Sequence, residues 1–298
     1  MALPKRVGTE AIRTKGWLLA NKWLLLRRLS QLSILGLFLA GPWYGVWIIK
    51  GSLTSSLLLD SVPMSDPFVA LQSLLAGHVL ETAAVVGALI VAGFYLVFGG
   101  RVYCSWVCPV NMITDSAGWL QRRLGLRPAA RFSRNARYAL LPMVAVLALV
   151  TGTLAWELVN PVTMIHRGLV FGMGTTWGAV AAIFLFDLLV AQRGWCGHLC
   201  PMGAFYSLLG HLTPLRVSAV ERAQCNDCMD CYAVCPEPQV IKPALKGTDQ
   251  GSGPVIESAN CTTCGRCIDV CAKDVFRLAN RFSHPPIRNE QKHKEVTP

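Results

Sequence analysis

The feature that most constrains this chain is a run of four cysteines that occurs twice between residues 225 and 271. The first run, Cys225 to Cys235, reads CNDCMDCYAVC, and the second, Cys261 to Cys271, reads CTTCGRCIDVC. Three cysteines separated by two residues each can wrap three corners of an iron–sulfur cube, and the fourth thiolate must come from another part of the chain. The pattern C-x2-C-x2-C-x3-C, written twice, predicts two [4Fe–4S] clusters.

In bacterial-type ferredoxins with two such runs, the fourth cysteine of each run ligates the cluster of the other run. This exchange gives two predicted ligand sets: Cys225, Cys228, Cys231 and Cys271 for cluster 1, and Cys261, Cys264, Cys267 and Cys235 for cluster 2. A zinc ribbon is the alternative, but it takes four ligands from two pairs and does not need the other cysteines. Pro236 follows Cys235 as in the usual motif, whereas Ala272 follows Cys271.

The composition excludes an ordinary soluble domain. Of the 298 residues, 53% are hydrophobic and only 15% are charged. Four runs contain no charged side chain: residues 29–49, 82–100, 138–156 and 168–186. Each approaches the ~20 residues that a membrane-spanning helix needs. We predict an α-helical membrane protein with four transmembrane helices and a C-terminal α+β ferredoxin domain that holds two clusters.

The number of lysine and arginine residues alternates between high and low in the segments that flank the four runs. Residues 1–28 carry seven, residues 50–81 carry only Lys50, residues 101–137 carry seven, and residues 157–167 carry only Arg167. Loops rich in lysine and arginine stay on the cytoplasmic side of a membrane. The pattern therefore predicts a multi-pass protein of the bacterial inner membrane with both termini and the ferredoxin domain in the cytoplasm. The net charge of +11 is thus explained by topology, not by nucleic-acid binding.

We divide the chain into four parts. Residues 1–28 form a basic amphipathic segment at the membrane surface, and residues 29–212 form the membrane domain. Residues 213–276 form the ferredoxin domain, with an extended loop at 247–253, and residues 277–298 form a flexible tail. The Arg27-Arg28 pair is compatible with a twin-arginine signal, but no small-residue cleavage site follows it.

The membrane domain contains a duplication. C-x3-C-P occurs at Cys104 to Pro109 and again, 92 residues later, at Cys196 to Pro201. Asp66-Pro67 and Asn160-Pro161 precede the second and fourth runs, 94 residues apart. Each half is predicted as a helix, a short external Pro-led segment, a helix and an inner cysteine turn. The halves are two parallel two-helix repeats related by an axis along the membrane normal. Cytoplasmic helices are predicted over 110–126 and 202–212.

The remaining four cysteines occupy equivalent places in the two halves. They are Cys104, Cys108, Cys196 and Cys200. If the axis brings the halves together, four thiols converge near the cytoplasmic face. They could hold a third metal or redox centre or form two disulfide pairs, and they are candidate redox residues. The alternative is that they only pack at helix starts.

The ordered combination of four spans, two C-x3-C-P turns and a two-cluster C-terminal domain resembles the NapH/MauN family of ferredoxin-type membrane proteins across residues 17–276. The resemblance implies a non-haem iron–sulfur component of a quinol dehydrogenase that passes electrons from quinol, via [4Fe–4S] clusters, towards periplasmic nitrate reductase. It implies a periplasmic ferredoxin subunit of NapG type as partner. The alternative is an assembly or maturation factor that supplies electrons to another metalloenzyme, in methylamine utilisation or copper reduction.

Ionisable residues at predicted membrane depth are functional candidates because their burial is costly. Four lie at the external ends of the predicted helices: His78, Glu81, Glu157 and His166. Quinol oxidation releases two protons, so a quinol site needs groups that accept them. We name these four as candidate quinol or proton sites, with wet interface residues as the alternative. Asp187 lies near the inner end of the fourth run.

Overall fold

The computed structural model describes residues 7–126, 129–130 and 132–283. The helices of these residues, in chain order, are α1 Thr9–Lys15, α2 Lys22–Tyr44, α3 Pro67–Leu75, α4 Thr82–Phe98, α5 Val110–Leu124, α6 Ala136–Thr151, α7 Pro161–Phe171, α8 Thr176–Leu185, α9 Pro201–Leu209, α10 Asp230–Val234, α11 Ile241–Lys246 and α12 Arg266–Val270. The strands are β1 Ile49–Gly51, β2 Ser55–Leu58, β3 Val62–Ser65, β4 Leu215–Ser218 and β5 Arg277–Asn280.

Helices occur at all four apolar runs, but their bounds differ from the predicted ones. Within the described residues one helical stretch, Leu19–Tyr44, has the 26 residues and the apolar composition needed to cross a membrane. Shorter apolar helices occupy Thr82–Phe98, Ala136–Thr151 and Thr176–Val190. The first predicted run is too long because Ile49 already pairs with Leu58 in a small antiparallel sheet. The fourth begins too early because residues 168–171 belong to α7, which ends at Gly172 with φ 105°.

The Pro-led segments that precede the second and fourth runs are helices, and the first turn of each is partly buried. Asp66, 4% exposed, caps α3 by accepting a hydrogen bond from Phe68 N at 2.8 Å. Asn160, 0% exposed, caps α7 by accepting one from Val162 N at 3.1 Å. Each proline occupies the first helical turn, where its missing N–H costs nothing. The side chain that starts each helix therefore lies inside the helical assembly.

The two cysteine turns have the same local structure. Cys108 N donates to Tyr103 O and Cys200 N donates to Trp195 O, both at 3.0 Å, and each bond closes a π-helical turn. Cys108 and Cys200 are extended, as a residue before proline must be. Helices α5 and α9 follow at once, so the helices predicted over 110–126 and 202–212 are present, each ending a few residues early.

The C-terminal part is an α+β unit around its own core. Strand β4 pairs antiparallel with β5, with Leu215 opposite Asn280. Helices α10 and α12 pack together and carry the buried Cys231 and Cys267. Because β5 covers residues 277–280, the predicted flexible tail is wrong there, and residues 284–298 lie outside the described residues. The loop expected over 247–253 contains the 3-10 turn Thr248–Gln250.

The N-terminal segment packs on this unit. Helix α2 already begins at Lys22, before the predicted boundary at residue 28. The Asp269 carboxylate of α12 accepts hydrogen bonds from Trp23 N and Leu24 N, both at 3.0 Å. These are two of the N–H groups that a helix start leaves unpaired, so Asp269 caps α2 from another part of the chain.

Candidate functional site

The two cysteine loops of the ferredoxin unit have the same backbone path. Asp227 and Thr263, each just before the second cysteine of its run, have φ of 56° and 47°. Met229 and Gly265, each just after that cysteine, have φ of 65° and 72°. Three of the four are not glycine, although left-handed backbone is unfavourable for residues with a Cβ. Strain held at matched positions of two loops is typical of a binding site.

Each loop lines a cavity together with the fourth cysteine of the other loop. The first cavity is lined by Cys225, Cys228, Cys231 and Cys271. The second is lined by Cys235, Cys261, Cys264 and Cys267. In the part of the chain that is described, no three His, Cys, Asp or Glu side chains lie close enough to enclose a single metal ion. Four thiols around each cavity fit a cluster, and the exchanged ligand sets stay a prediction that this arrangement supports.

The four cysteines of the two C-x3-C-P turns meet in one buried cluster of side chains. Cys108 is buried, and Cys104, Cys196 and Cys200 pack against the same cluster as Tyr103, Met202 and Tyr206. Cys196 interacts electrostatically with the thiols of the other three. All four are free thiols, so the structure does not contain the two disulfide pairs that the sequence allowed. We call these residues the four-thiol layer.

A buried carboxylate joins the ferredoxin unit to the helices. Glu237, 1% exposed, accepts hydrogen bonds at Oε1 from Nη1 of Arg101 and Nη1 of Arg137, both at 2.6 Å. Arg134 contacts the other oxygen. Burial by itself would raise the pKa of Glu237, but the charges of Arg101 and Arg137 outweigh it and lower the pKa to about 2. The carboxylate is therefore charged at neutral pH.

The loop that carries Cys261 rests on the first cysteine turn. Ser105 Oγ donates to Thr262 O at 2.7 Å, and Trp106 Nε1 donates to Thr263 O at 3.3 Å. Arg101 donates from Nη1 to Asn260 O at 3.0 Å and from Nη2 to the Cys196 carbonyl at 3.4 Å. One guanidinium thus touches the second cysteine loop, the second cysteine turn and Glu237. The second cysteine loop is thus hydrogen-bonded to the turns that carry the four-thiol layer.

A polar centre lies where α3 and α7 begin, beside the buried cluster that contains the four thiols. Tyr206 Oη donates to Asp66 Oδ2 at 2.9 Å, and the Tyr206 ring stacks on Tyr103 with centroids 5.0 Å apart. Glu157, half-buried, accepts from Asn160 Nδ2 and Thr163 Oγ1, both at 2.7 Å. We call Asp66, Glu157 and Asn160 the polar centre, since Asp66 and Glu157 interact electrostatically.

The other sequence candidates are scattered. His78 and Glu81 are exposed, and His166 is buried with its ring 5.7 Å from that of Phe38. No hydrogen bond links any two of the four candidates within the described residues. Asp187 is buried and accepts a hydrogen bond from Trp195 N at 2.9 Å. Of the four, Glu157 alone contributes to the polar centre.

Sequence reasoning missed Asp66, Tyr206 and Glu237. A signal existed for the first, because Asp66-Pro67 repeats as Asn160-Pro161. A second signal was the arginine three residues before each first cysteine, Arg101 and Arg193. Their carboxylate partners, Glu237 and Asp115, lie far away in the chain, so only the tertiary structure identifies them.

Comparison with known families and proteins agrees with this arrangement. The 4Fe-4S binding domain family matches residues 80–127 and 173–218, which are the two halves that carry the C-x3-C-P turns. The 4Fe-4S dicluster domain family matches residues 224–275. The duplication and the two-cluster character of the C-terminal part are therefore found independently of the structure. No solved structure matches the chain.

Curated relatives match almost the whole chain. The Ferredoxin-type protein NapH of Haemophilus influenzae is 50% identical over 281 residues, which is 94% of this chain and 98% of that protein. The corresponding protein of Escherichia coli is 50% identical over 285 residues, 95% and 98% of the two chains. The Methylamine utilization ferredoxin-type protein MauN of Methylorubrum extorquens is 48% identical over 272 residues, 91% and 94%. This chain belongs to the NapH/MauN family of ferredoxin-type iron–sulfur proteins of electron transport.

Proposed function

We propose that this protein is the membrane electron-transfer component of a quinol dehydrogenase and delivers electrons towards periplasmic nitrate reductase. One observation carries the proposal: the second cluster cavity is docked on the four-thiol layer through Arg101, Ser105 and Glu237. The loop that carries one set of cysteines is thereby hydrogen-bonded to the turns that carry the other. Such an arrangement suits electron transfer, which needs fixed and short separations between centres.

Two [4Fe–4S] clusters, when bound by the eight ferredoxin cysteines, supply one-electron carriers whose potentials depend on nearby charge and hydrogen bonds. The chain contributes that environment. Arg101 and Arg193 place positive charge beside the cysteine turns, and Arg193 interacts electrostatically with Cys235 and Cys264. A third metal or redox centre at Cys104, Cys108, Cys196 and Cys200 is part of the same proposal, because four free thiols converge there.

The polar centre is the proposed place where quinol protons are accepted. Its carboxylates, Asp66 and Glu157, lie at the buried starts of α3 and α7, and such half-helix starts are typical of substrate sites in membrane proteins. Tyr206 connects Asp66 to the aromatic side chains of the buried cluster that contains the four thiols. In this proposal Glu157 and Asp66 hold the protons, whereas exposed His78 and Glu81 serve no direct role.

The proposal includes the membrane arrangement: four spans, parallel repeats, and both termini in the cytoplasm of a bacterial inner membrane. It is supported by the alternation of positive charge along the sequence and by four apolar helices at the predicted places. The proposed partner on the far side is a periplasmic ferredoxin of NapG type.

A second candidate function is supply of electrons to another metalloenzyme during its maturation. The observation that favours it is the similarity to MauN of Paracoccus denitrificans, which at 50% identity over 92% of this chain matches that to NapH. The two candidates differ in their donor and acceptor, and not in the ferredoxin unit.

The test uses the full chain in sealed vesicles under anaerobic conditions. A quinol analogue is added, and electron paramagnetic resonance records the reduced clusters. We expect reduction by quinol in the native protein and at least tenfold slower reduction in Asp66→Asn and Glu157→Gln, with Glu81→Gln as the matched exposed control. Reduction by soluble donors alone, with Cu(II) as acceptor, would favour the second function. Full retention in both Asp66→Asn and Glu157→Gln would move the quinol site elsewhere.

A further inference from the structure

A cavity of about 470 Å³ lies between the ferredoxin unit and the helices. It is lined by residues of α2, α5, α8, α10 and α12, together with Arg193. Four of the lining residues are arginines: Arg28, Arg122, Arg193 and Arg266. Among the described residues, Asp115 is the single carboxylate in the lining, so the cavity is strongly cationic.

The carboxylates nearby are already engaged. Asp115 pairs with Arg28 at 2.6 Å and with Arg193 at 2.7 Å, and it also pairs with Arg27 at 3.1 Å. Arg266 pairs with Asp269 at 2.9 Å. The buried Nη1 of Arg122, by contrast, has no hydrogen-bond partner among the described residues. A buried guanidinium nitrogen without an acceptor is costly, and this cost points to an anionic ligand.

The electrostatics of Arg122 agree with that reading. Burial, followed by the nearby charge of Arg193, lowers the pKa of Arg122 to about 10. The guanidinium is still charged at neutral pH, but its positive form is destabilised by its surroundings. A negative charge in the cavity would relieve this repulsion.

Apolar side chains line the cavity beside the arginines. They are Leu24 of α2, Trp119 and Leu120 of α5, and Phe184 of α8. Trp119 and the nearby Leu25 are exposed on the surface. A cationic pocket beside an exposed apolar surface, between membrane helices and on the predicted cytoplasmic side, is the pattern that binds anionic lipid head groups.

We propose that this cavity binds the phosphate of an anionic phospholipid, with Arg122 and Arg266 on the head group and Leu24, Trp119 and Phe184 along the acyl chains. The site goes beyond the electron-transfer function and rests only on the proposed membrane location. Because its walls come from both the ferredoxin unit and the helices, the lipid would hold the two together. The same phosphate chemistry could come from a soluble phosphate compound, which the experiment distinguishes.

The experiment uses the full chain with its clusters, purified anaerobically in detergent and delipidated. Native mass spectrometry follows binding of cardiolipin, of zwitterionic phosphatidylcholine and of inorganic phosphate. We expect cardiolipin to bind and phosphatidylcholine to bind at least tenfold more weakly. Arg122→Gln should weaken cardiolipin binding about fivefold, the effect of one charge near a lipid surface, while Arg122→Lys should retain most of it.

The matched control is Arg277→Gln, which removes the same charge from an exposed position on β5. Cluster absorbance and the thermal midpoint verify that each variant is folded. Equal binding of cardiolipin and phosphatidylcholine, or an unchanged affinity in Arg122→Gln, would overturn the proposal. If inorganic phosphate saturates the site and displaces no bound lipid, the lipid binds elsewhere and the cavity holds a soluble ligand. That result would also overturn the proposal.

Discussion

The carboxylate of Glu237, two residues after Cys235, lies 2.6 Å from the guanidinium of Arg101, three residues before Cys104. Both side chains are buried, and Arg137 contacts the same oxygen. A single acidic residue of the ferredoxin unit thus neutralises positive charge at the top of the helical part. This contact fixes the second cysteine loop over the four-thiol layer.

Loss of the Glu237 carboxylate should separate the ferredoxin unit from the helical part. Glu237→Ala leaves Arg101 and Arg137 buried without their partner, and breaking a buried ion pair from one side costs about 3–5 kcal/mol. We expect a lower free energy of unfolding in denaturant and faster amide exchange in the 260–263 loop. Glu257→Ala, an exposed carboxylate of the same unit, should change neither quantity. An unfolding free energy equal to that of the native protein would contradict the assigned role.

The same pair predicts how stability depends on pH. The pKa of Glu237 is lowered from 4.5 to about 2, so the unfolded chain binds the proton more tightly than the folded chain. Its contribution is fully present above about pH 4.5 and is lost as pH falls towards 2. The difference in thermal midpoint between native protein and Glu237→Gln should be constant from pH 8 to 5 and shrink below 4.5. A difference that shrinks already above pH 5 would be inconsistent with this pair.

Exchange of the fourth cysteine can be tested by paired substitutions. If Cys235 serves the cavity of Cys264, then Cys235→Ser and Cys264→Ser should remove the same resonance signal. The double variant should then lose no more iron than either single variant, because both defects fall on one cluster. Cys228→Ser with Cys271→Ser gives the matched pair for the other cavity. If Cys235→Ser instead removed the same resonance signal as Cys228→Ser, each run would keep its own fourth cysteine as a ligand.

The four-thiol layer should contribute iron of its own. Two clusters account for about eight iron atoms per chain, so a third centre at Cys104, Cys108, Cys196 and Cys200 should raise the content of anaerobically purified protein above that value. Alanine at all four positions should return it to about eight. A native content of eight that the four substitutions leave unchanged would exclude a metal at this layer.

The cap that Asp269 provides to α2 predicts a stability effect at a distance. Asp269→Ala removes the acceptor of Trp23 N and Leu24 N, and loss of a cap costs about 1–2 kcal/mol. Amide exchange should rise in the first turn of α2, although the substitution lies in α12. Asp249→Ala, which removes an exposed carboxylate from the 3-10 turn, is the control. Unchanged exchange at Trp23 and Leu24 would show that the cap contributes nothing.

The sequence by itself determined the local features of this protein. The cysteine spacing predicted both loops and an exchange of their fourth cysteines, because a cluster imposes a fixed arrangement on nearby residues. The repeated Cys-Pro turns predicted α5 and α9, since proline favours a helix start and excludes helix for the residue before it. Uninterrupted apolar runs predicted four helices for the same local reason, although their ends were wrong where Gly172 and β1 interrupt them.

The tertiary structure alone decided how these pieces meet. Glu237 and Arg101 are 136 residues apart, and Asp66 and Tyr206 are 140 apart, so no local pattern could pair them. The burial of the α3 and α7 starts was also not visible in the sequence, because Asp or Asn before proline can cap a helix whether or not its start is buried. Buried polar groups need partners, and which partner each one finds depends on the packing of whole helices. That packing placed the ferredoxin unit on the four-thiol layer.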